Sequence, residues 1–222
     1  MKRNQSGFTL IEIAIVLVII GLLLGGVLKG QELINSAKVK NLATDFKNVP
    51  IYIYGYQDKY KALPGDDLNA VLHLGASAVQ AVNSATQTAG NGIIEGAWNT
   101  TNNTDESYIF WQHIRMAGFG PGSTDTSVAN QSAYLPTNAV GGRIGVTNSI
   151  SNKPITGMTG TYIVCSDSIP GKFAKQLDTT LDDGNTATGS VMVSGGTNPP
   201  PPAPTQTANI VDDQTYTVCM GY

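Results

Sequence analysis

The sequence predicts an α+β fold in which a long N-terminal helix packs on a small antiparallel sheet. Three observations predict it. Residues 8–28 read FTLIEIAIVLVIIGLLLGGVL, an apolar run with a single charge, Glu12. As a helix this run is about 31 Å long, close to the hydrocarbon thickness of a bilayer. Farther on, Val39, Leu42, Phe46, Val49, Ile53, Tyr56 and Tyr60 recur at alternating spacings of 3 and 4, the seam of an amphipathic helix. The C-terminal part holds short β-branched runs separated by turn residues, and helices followed by strands argue for α+β.

Each element follows from its residues. Lys29 marks the exit from the apolar run, and Lys38, Lys40, Asp45, Lys47, Asp58 and Lys59 lie off the seam. One helix is therefore expected from Phe8 to about Lys61. Pro50 conflicts with it: proline removes a helical hydrogen bond and kinks the helix. The alternating Ile51-Tyr52-Ile53-Tyr54 leaves open a break followed by a short strand. The tyrosines there read as packing residues between helix and sheet rather than an electron path or a stacking platform. Leu63-Pro64-Gly65-Asp66-Asp67 ends the helix in a turn, and a loop-rich stretch runs to about 103. A helix then starts at Thr104-Asp105 and stops at Gly118, with Tyr108, Trp111, Ile114 and Ala117 as its buried stripe. Strands are expected at 143–147, 161–165, 190–194 and 215–220, and a short helix at 170–179 with proline in its first turn. The Gly- and Pro-rich stretch 195–204 reads as a stiff surface loop. The domains are a leader at 1–7, an apolar helix at 8–28, its amphipathic half at 29–61 and a globular body at 62–222.

With 41% hydrophobic and 13% charged residues in 222, the chain is not a disordered acidic or basic tail protein. Its net charge of −3 is unevenly spread. The opening MKRNQSG is basic, whereas after Lys61 five basic side chains face twelve acidic ones. So acidic a body argues against a nucleic-acid partner.

The N-terminus distinguishes three kinds of segment. A cleaved secretory signal has a shorter apolar stretch with its small-residue site after it, whereas Ser6-Gly7 stands before this one. An ordinary signal-anchor has no use for a carboxylate, which costs about 2.5–3.5 kcal/mol at mid-span and less near an interface. Gly7-Phe8-Thr9-Leu10-Ile11-Glu12 instead resembles the processing motif of type IV prepilins and type II secretion pseudopilins. The resemblance is close over residues 1–40 and loose beyond. It implies a structural, non-enzymatic filament subunit with a pilin-like fold. A prepilin peptidase/methyltransferase cuts between Gly7 and Phe8 and N-methylates Phe8, and Glu12 then neutralises the Phe8 amine of a neighbouring subunit during assembly. A tolerated interfacial glutamate that snorkels to headgroups is the alternative for Glu12. Also implied are a single pass through the inner membrane, the N-terminus cytoplasmic and the body periplasmic, and other pilin or pseudopilin subunits as partners. The end point is a surface pilus or a periplasmic pseudopilus acting in protein export; an adhesion or DNA-uptake minor pilin is the remaining variant. Where many members have a mid-helix proline, this chain has Val27-Leu28-Lys29-Gly30, with Gly21, Gly25, Gly26 and Gly30 available to bend the helix.

Cys165 and Cys219 allow one intrachain disulfide, which an oxidising compartment favours; the other reading is two buried thiols. The pair resembles the C-terminal disulfide-bounded loop of many pilins. The sequence QLDTTLDDGN at 176–185 gathers Asp178, Asp182, Asp183 and Asn185 around a Gly turn, a candidate calcium site or a solvated turn. Acids near a helix C-terminus are unfavourable, and a cation supplies a reason for them. Asn91-Gly92-Ile93-Ile94-Glu95 resembles the middle of a calcium loop without its leading carboxylates. No other cofactor is expected. His73 and His113 lack metal-ligand spacing, and His113 reads as a surface or boundary residue. Phosphate-binding Gly loops, nucleophile elbows and paired-Cys redox motifs are absent from the sequence.

Overall fold

The computed structural model describes residues 9–150, 152–195 and 202–222. Gly7, Phe8 and most of the Pro-rich loop lie outside the described residues. The chain divides into two compact units, 1–40 and 41–222. Helix α1, Leu10–Tyr60, supplies most of the first and opens the second.

In the first unit α1 runs through Gly21, Gly25, Gly26 and Gly30 without interruption. Its apolar side chains from Leu10 to Leu28 are exposed.

In the second unit the seam is realised: Leu42, Phe46, Val49, Ile53 and Tyr56 are buried. Pro50 neither ends the helix nor starts a strand. Proline has no N–H for the carbonyl four residues back, which is that of Phe46. The Tyr222 hydroxyl donates to that Phe46 oxygen at 2.7 Å, so the orphaned acceptor is satisfied from the far end of the fold. The helix stops after Tyr60, where Lys61 turns left-handed at φ 55°.

The loop-rich stretch holds one short helix, α2 (Ala70–Leu74), which the sequence does not announce. Helix α3 (Glu106–Met116) stands where the sequence predicts it, and Gly118 at φ 84° ends it. Tyr108, Trp111 and Ile114 are buried, but so is almost every other residue from Glu106 onward, including His113. The expectation of a surface His113 is therefore overturned. Its Nδ1 accepts the Gly65 N–H at 3.0 Å and its Nε2–H donates to Val79 O at 2.7 Å, which makes burial tolerable. A second short helix, α4 (Gln131–Tyr134), follows.

All four expected strands form: β1 (Ile144–Thr147), β2 (Ile163–Pro170), β3 (Val191–Ser194) and β4 (Thr215–Gly221). They make one antiparallel sheet in the order β1-β2-β4-β3. Between β2 and β3 lies α5 (Gly171–Leu181), with Pro170 just before its first turn. β2 bulges between Ser166 and Ile169, where Ser168 has φ 57°. Both edges are covered. Ile94 O, Gly96 O and Asn99 O accept hydrogen bonds from Asn148, Thr147 and Arg143 along β1. On the β3 edge, Val193 exchanges backbone hydrogen bonds with Thr186 and Thr205. Cys165 and Cys219, directly opposed in β2 and β4, form a disulfide amid Ile155, Met158, Ile163 and Met192.

Candidate functional site

Two groups of predicted site residues can be located. At the start of α1, Thr9 is the N-cap and Glu12 the third helical residue. The Glu12 carboxylate accepts the Thr9 N–H at 2.7 Å and its hydroxyl at 2.8 Å, while the Glu12 N–H points back to Thr9 Oγ1 at 3.4 Å. This reciprocal pair is a capping box. The Thr-x-x-Glu spacing that signals it is present in the sequence, where Glu12 reads as a filament charge or an interfacial glutamate and not as a cap. Glu12 thus has a local task as well, since a carboxylate in the first turn also complements the helix dipole.

The second group lies at the end of α5. One carboxylate oxygen from each of Asp178, Asp182 and Asp183 lies within 4.8 Å of the others. Asp182 Oδ2 accepts the N–H groups of Ser190 and Val191 at 2.6 and 2.9 Å, tying the end of α5 to the start of β3. Gly189 permits this: a Cβ there would stand 2.1 Å from Asp182 Oδ2, and its φ is 87°. Asp183 Oδ1 accepts the Asn185 N–H, and Asn185 Oδ1 accepts the Ala187 N–H. Asp178 is fully buried, and neither of its oxygens has a hydrogen-bond partner. Burial, then the charges of Asp183 and Asp182, push its carboxyl up to about 6; the Gly184 N–H opposes this without reaching hydrogen-bond geometry.

A third set of polar groups was not legible as a site. Asp66 and Asp67, a mere turn in the sequence, are buried. Asp66 accepts the N–H groups of Gly90 and Gly92, so its carboxylate holds the loop at 90–92. Asp67 accepts the Tyr56 hydroxyl and the Asn69 N–H and pairs with His73. Burial raises the Asp67 carboxyl, but the hydrogen bonds from His73, Tyr56 and Asn69 outweigh it and leave it lowered. From α3, Glu106 Oε2 accepts the Glu95 N–H, and Gln112 binds Val79, Ser77 and Thr124. Burial pushes Glu106 up to about 8, the Glu95 N–H opposing and the Asp66 and Glu95 charges adding. Glu106 and Asp66 both hold a proton more tightly than free carboxylates do, while burial lowers His113. These groups fasten the loops at 62–105 to α3.

Residues 2–28 match the family model described as the prokaryotic N-terminal methylation motif. No curated protein and no solved structure matches the chain. The motif implies processing by a prepilin peptidase and assembly with other pilins, and the proteins that bear it are structural rather than enzymatic. Helix α1 is long and apolar enough to cross a membrane, which fits anchoring there. The N-terminus of this chain therefore carries the signature of type IV pilins and pseudopilins, which supports a pilin-like or pseudopilin subunit in general terms.

Proposed function

We propose that the protein is a structural subunit of a type IV pilus-like filament, assembled through its N-terminal helix. The observation that carries this reading is the methylation motif running straight into an apolar helix whose side chains are exposed in the single chain. The basic leader stays in the cytoplasm and the body crosses to the other side. The peptidase cuts between Gly7 and Phe8 and methylates Phe8. Glu12 then pairs with the Phe8 amine of a neighbour, fixing the register in which apolar helices exchange lipid for one another. A charge pair in that setting is costly to break once one partner is gone, about 3–5 kcal/mol. The body, with its acidic side chains and its disulfide, faces outward.

The same motif serves pseudopilins, so the periplasmic export filament is the second reading. Shearing the cell surface and taking the intact mass of the released protein separates the two. A chain lacking residues 1–7, heavier by one methyl group and with both cysteines oxidised, is expected in the sheared fraction. Processed chain confined to membranes would move the assignment to the pseudopilin. A chain still beginning at Met1 would overturn both readings.

A further inference from the structure

We propose that the cavity between the second half of α1 and α3 is a binding site for a small primary aliphatic amine, anchored by the Asp45 carboxylate. The site lies wholly within the second unit and does not depend on the filament reading. It begins with an unmet charge. Asp45 is half-buried, and among the described residues no cation and no hydrogen-bond donor holds its carboxylate. Such a group has lost water without gaining a counter-charge, which disfavours its charged form. Burial alone pushes it up to about 6. Tyr52, two turns along α1, feels the same charge: burial, then Asp45, raise its hydroxyl.

The neighbouring guanidinium does not relieve this. Arg115 of α3 lines the same cavity, but its Nε donates to Pro121 O at 2.9 Å. Its Nη1 donates to Ser123 O and Tyr134 O at 2.9 and 2.6 Å. The guanidinium also lies over the rings of Tyr134 and Trp111, at 5.0 and 5.7 Å. Carbonyls and rings thus occupy it, and no lysine lines the cavity.

The walls decide which cation fits. The cavity holds about 160 Å³, close to the ~150 Å³ that takes benzene, so a ligand of about five or six heavy atoms enters whole. Val49, Ile114, Pro136 and Ile144 give a hydrocarbon stem apolar surface, and Trp111 and Tyr52 supply rings that attract a cation. Asn48, one turn from Asp45, and Thr137 also line it, and neither side chain has a hydrogen-bond partner among the described residues. A carboxylate, an amide oxygen and a hydroxyl match the three N–H donors of an ammonium group. A divalent metal ion asks for about six oxygens or more, with more than one carboxylate. A guanidinium on the same stem is bulkier and holds its donors in one rigid plane.

The test uses the full-length processed protein in detergent at constant ionic strength, with n-butylammonium chloride as the probe. Binding is read by saturation-transfer NMR on the ligand and by tryptophan fluorescence. At about pH 8, saturable binding with a Kd of roughly 0.1–1 mM is expected. 1-Butanol, which has the stem without the charge, should bind at least about tenfold more weakly. Asp45→Asn should weaken the amine by roughly 10- to 100-fold. Asp58→Asn, at an exposed acid of α1 outside the cavity, should leave binding unchanged.

If Asp45→Asn does not fold, the unmodified protein decides through pH. The amine stays charged, so its affinity should fall roughly tenfold from about pH 8 to about pH 5 as Asp45 takes up a proton. Tyr52 and Arg115, the other ionisable groups lining the cavity, keep their charge states over that range. An absence of saturable binding, equal binding in Asp45→Asn, or a flat pH profile would overturn the site. Equal binding of 1-butanol would overturn the role of the carboxylate. Tighter binding of Nα-acetyl-lysine methylamide than of butylammonium would overturn the choice of a free amine, in favour of a lysine presented by another chain.

Discussion

The two compact units spend their residues in opposite ways. In residues 9–34, leucine, isoleucine and valine side chains stand exposed, Leu10 at 89% and Leu22 at 74%. Side-chain contacts among the described residues there include the capping box at Thr9 and Glu12 and an exposed Lys29–Glu32 pair at 2.7 Å. In residues 41–222, carboxylates, a histidine and two glutamines are buried, while leucines such as Leu72 remain outside. Exposed apolar surface with satisfied backbone is a surface awaiting lipid or a partner. Buried polar groups with satisfied hydrogen bonds specify a fold that already has what it needs. The first unit thus presents apolar surface to other molecules, whereas the second buries a core of its own.

Substitutions at four places press on this contrast, in order of expected effect. Glu12→Ala removes both a charge and a capping box, whereas Glu12→Gln removes only the charge, because glutamine also fills the third position of that motif. Expressed beside the unmodified subunit, both are expected to be cleaved and to fall by roughly one to two orders of magnitude in sheared filaments. The melting of the body should not change. Normal assembly of the glutamine variant would show that Glu12 acts through the helix start and not through its charge.

Replacing Cys165 and Cys219 together by serine should do the reverse. It is expected to cost the body about 2–5 kcal/mol in chemical denaturation, with leader cleavage intact. Loss of cleavage in this variant would break the separation between the units.

Glu106 tests the polar interior. Its pKa rises from 4.5 to about 8 on folding. Between those values the folded state holds a proton that the unfolded state has released, so stability falls as pH rises and levels off above about 8. Glu106→Gln keeps an acceptor for the Glu95 N–H without a charge facing Asp66. The variant should be more stable than the parent at pH 8 by roughly 1–3 kcal/mol, and its stability should change less between pH 5 and 8. An unchanged pH profile would remove Glu106 as the source of that slope. The smallest effect belongs to Tyr222→Phe, which strands the Phe46 carbonyl and should cost about 1–2 kcal/mol. In a Pro50→Ala background, where residue 50 regains its N–H, the same change should cost less. Equal costs in the two backgrounds would mean that the hydroxyl does not serve the gap left by proline.

What was legible in the sequence follows the same division. Hydropathy and the Gly7-to-Glu12 spacing are local signals, so the long apolar helix and the methylation motif could be read from them, whereas the capping role of Glu12 went unread. The four strands were also legible, because β-branched runs such as Tyr162-Ile163-Val164-Cys165 declare themselves and sit between turns. The polar interior was not. His113 bonds to Gly65 and Val79, and Gln112 to Ser77 and Thr124, partners at sequence distances of 48, 34, 35 and 12 residues. A five-residue α2 has no room for a period to develop. The three acids near residue 180 were visible as a cluster, but the burial of Asp178 depends on how α5 seats against the sheet, which no local pattern encodes.

The hydrogen bond from Tyr222 to Phe46 joins residues 176 apart in the chain. Its consequence concerns the order of events. The turn of α1 around Pro50 forms early in synthesis, yet its open carbonyl stays hydrated until β4 has been made and docked. Until then that turn of α1 holds one hydrogen bond fewer than its neighbours and opens more easily than they do. Docking of β4 stiffens it, so amide exchange around residues 46–54 should slow in step with completion of the sheet. The helix would then become rigid only in a subunit whose body has finished folding.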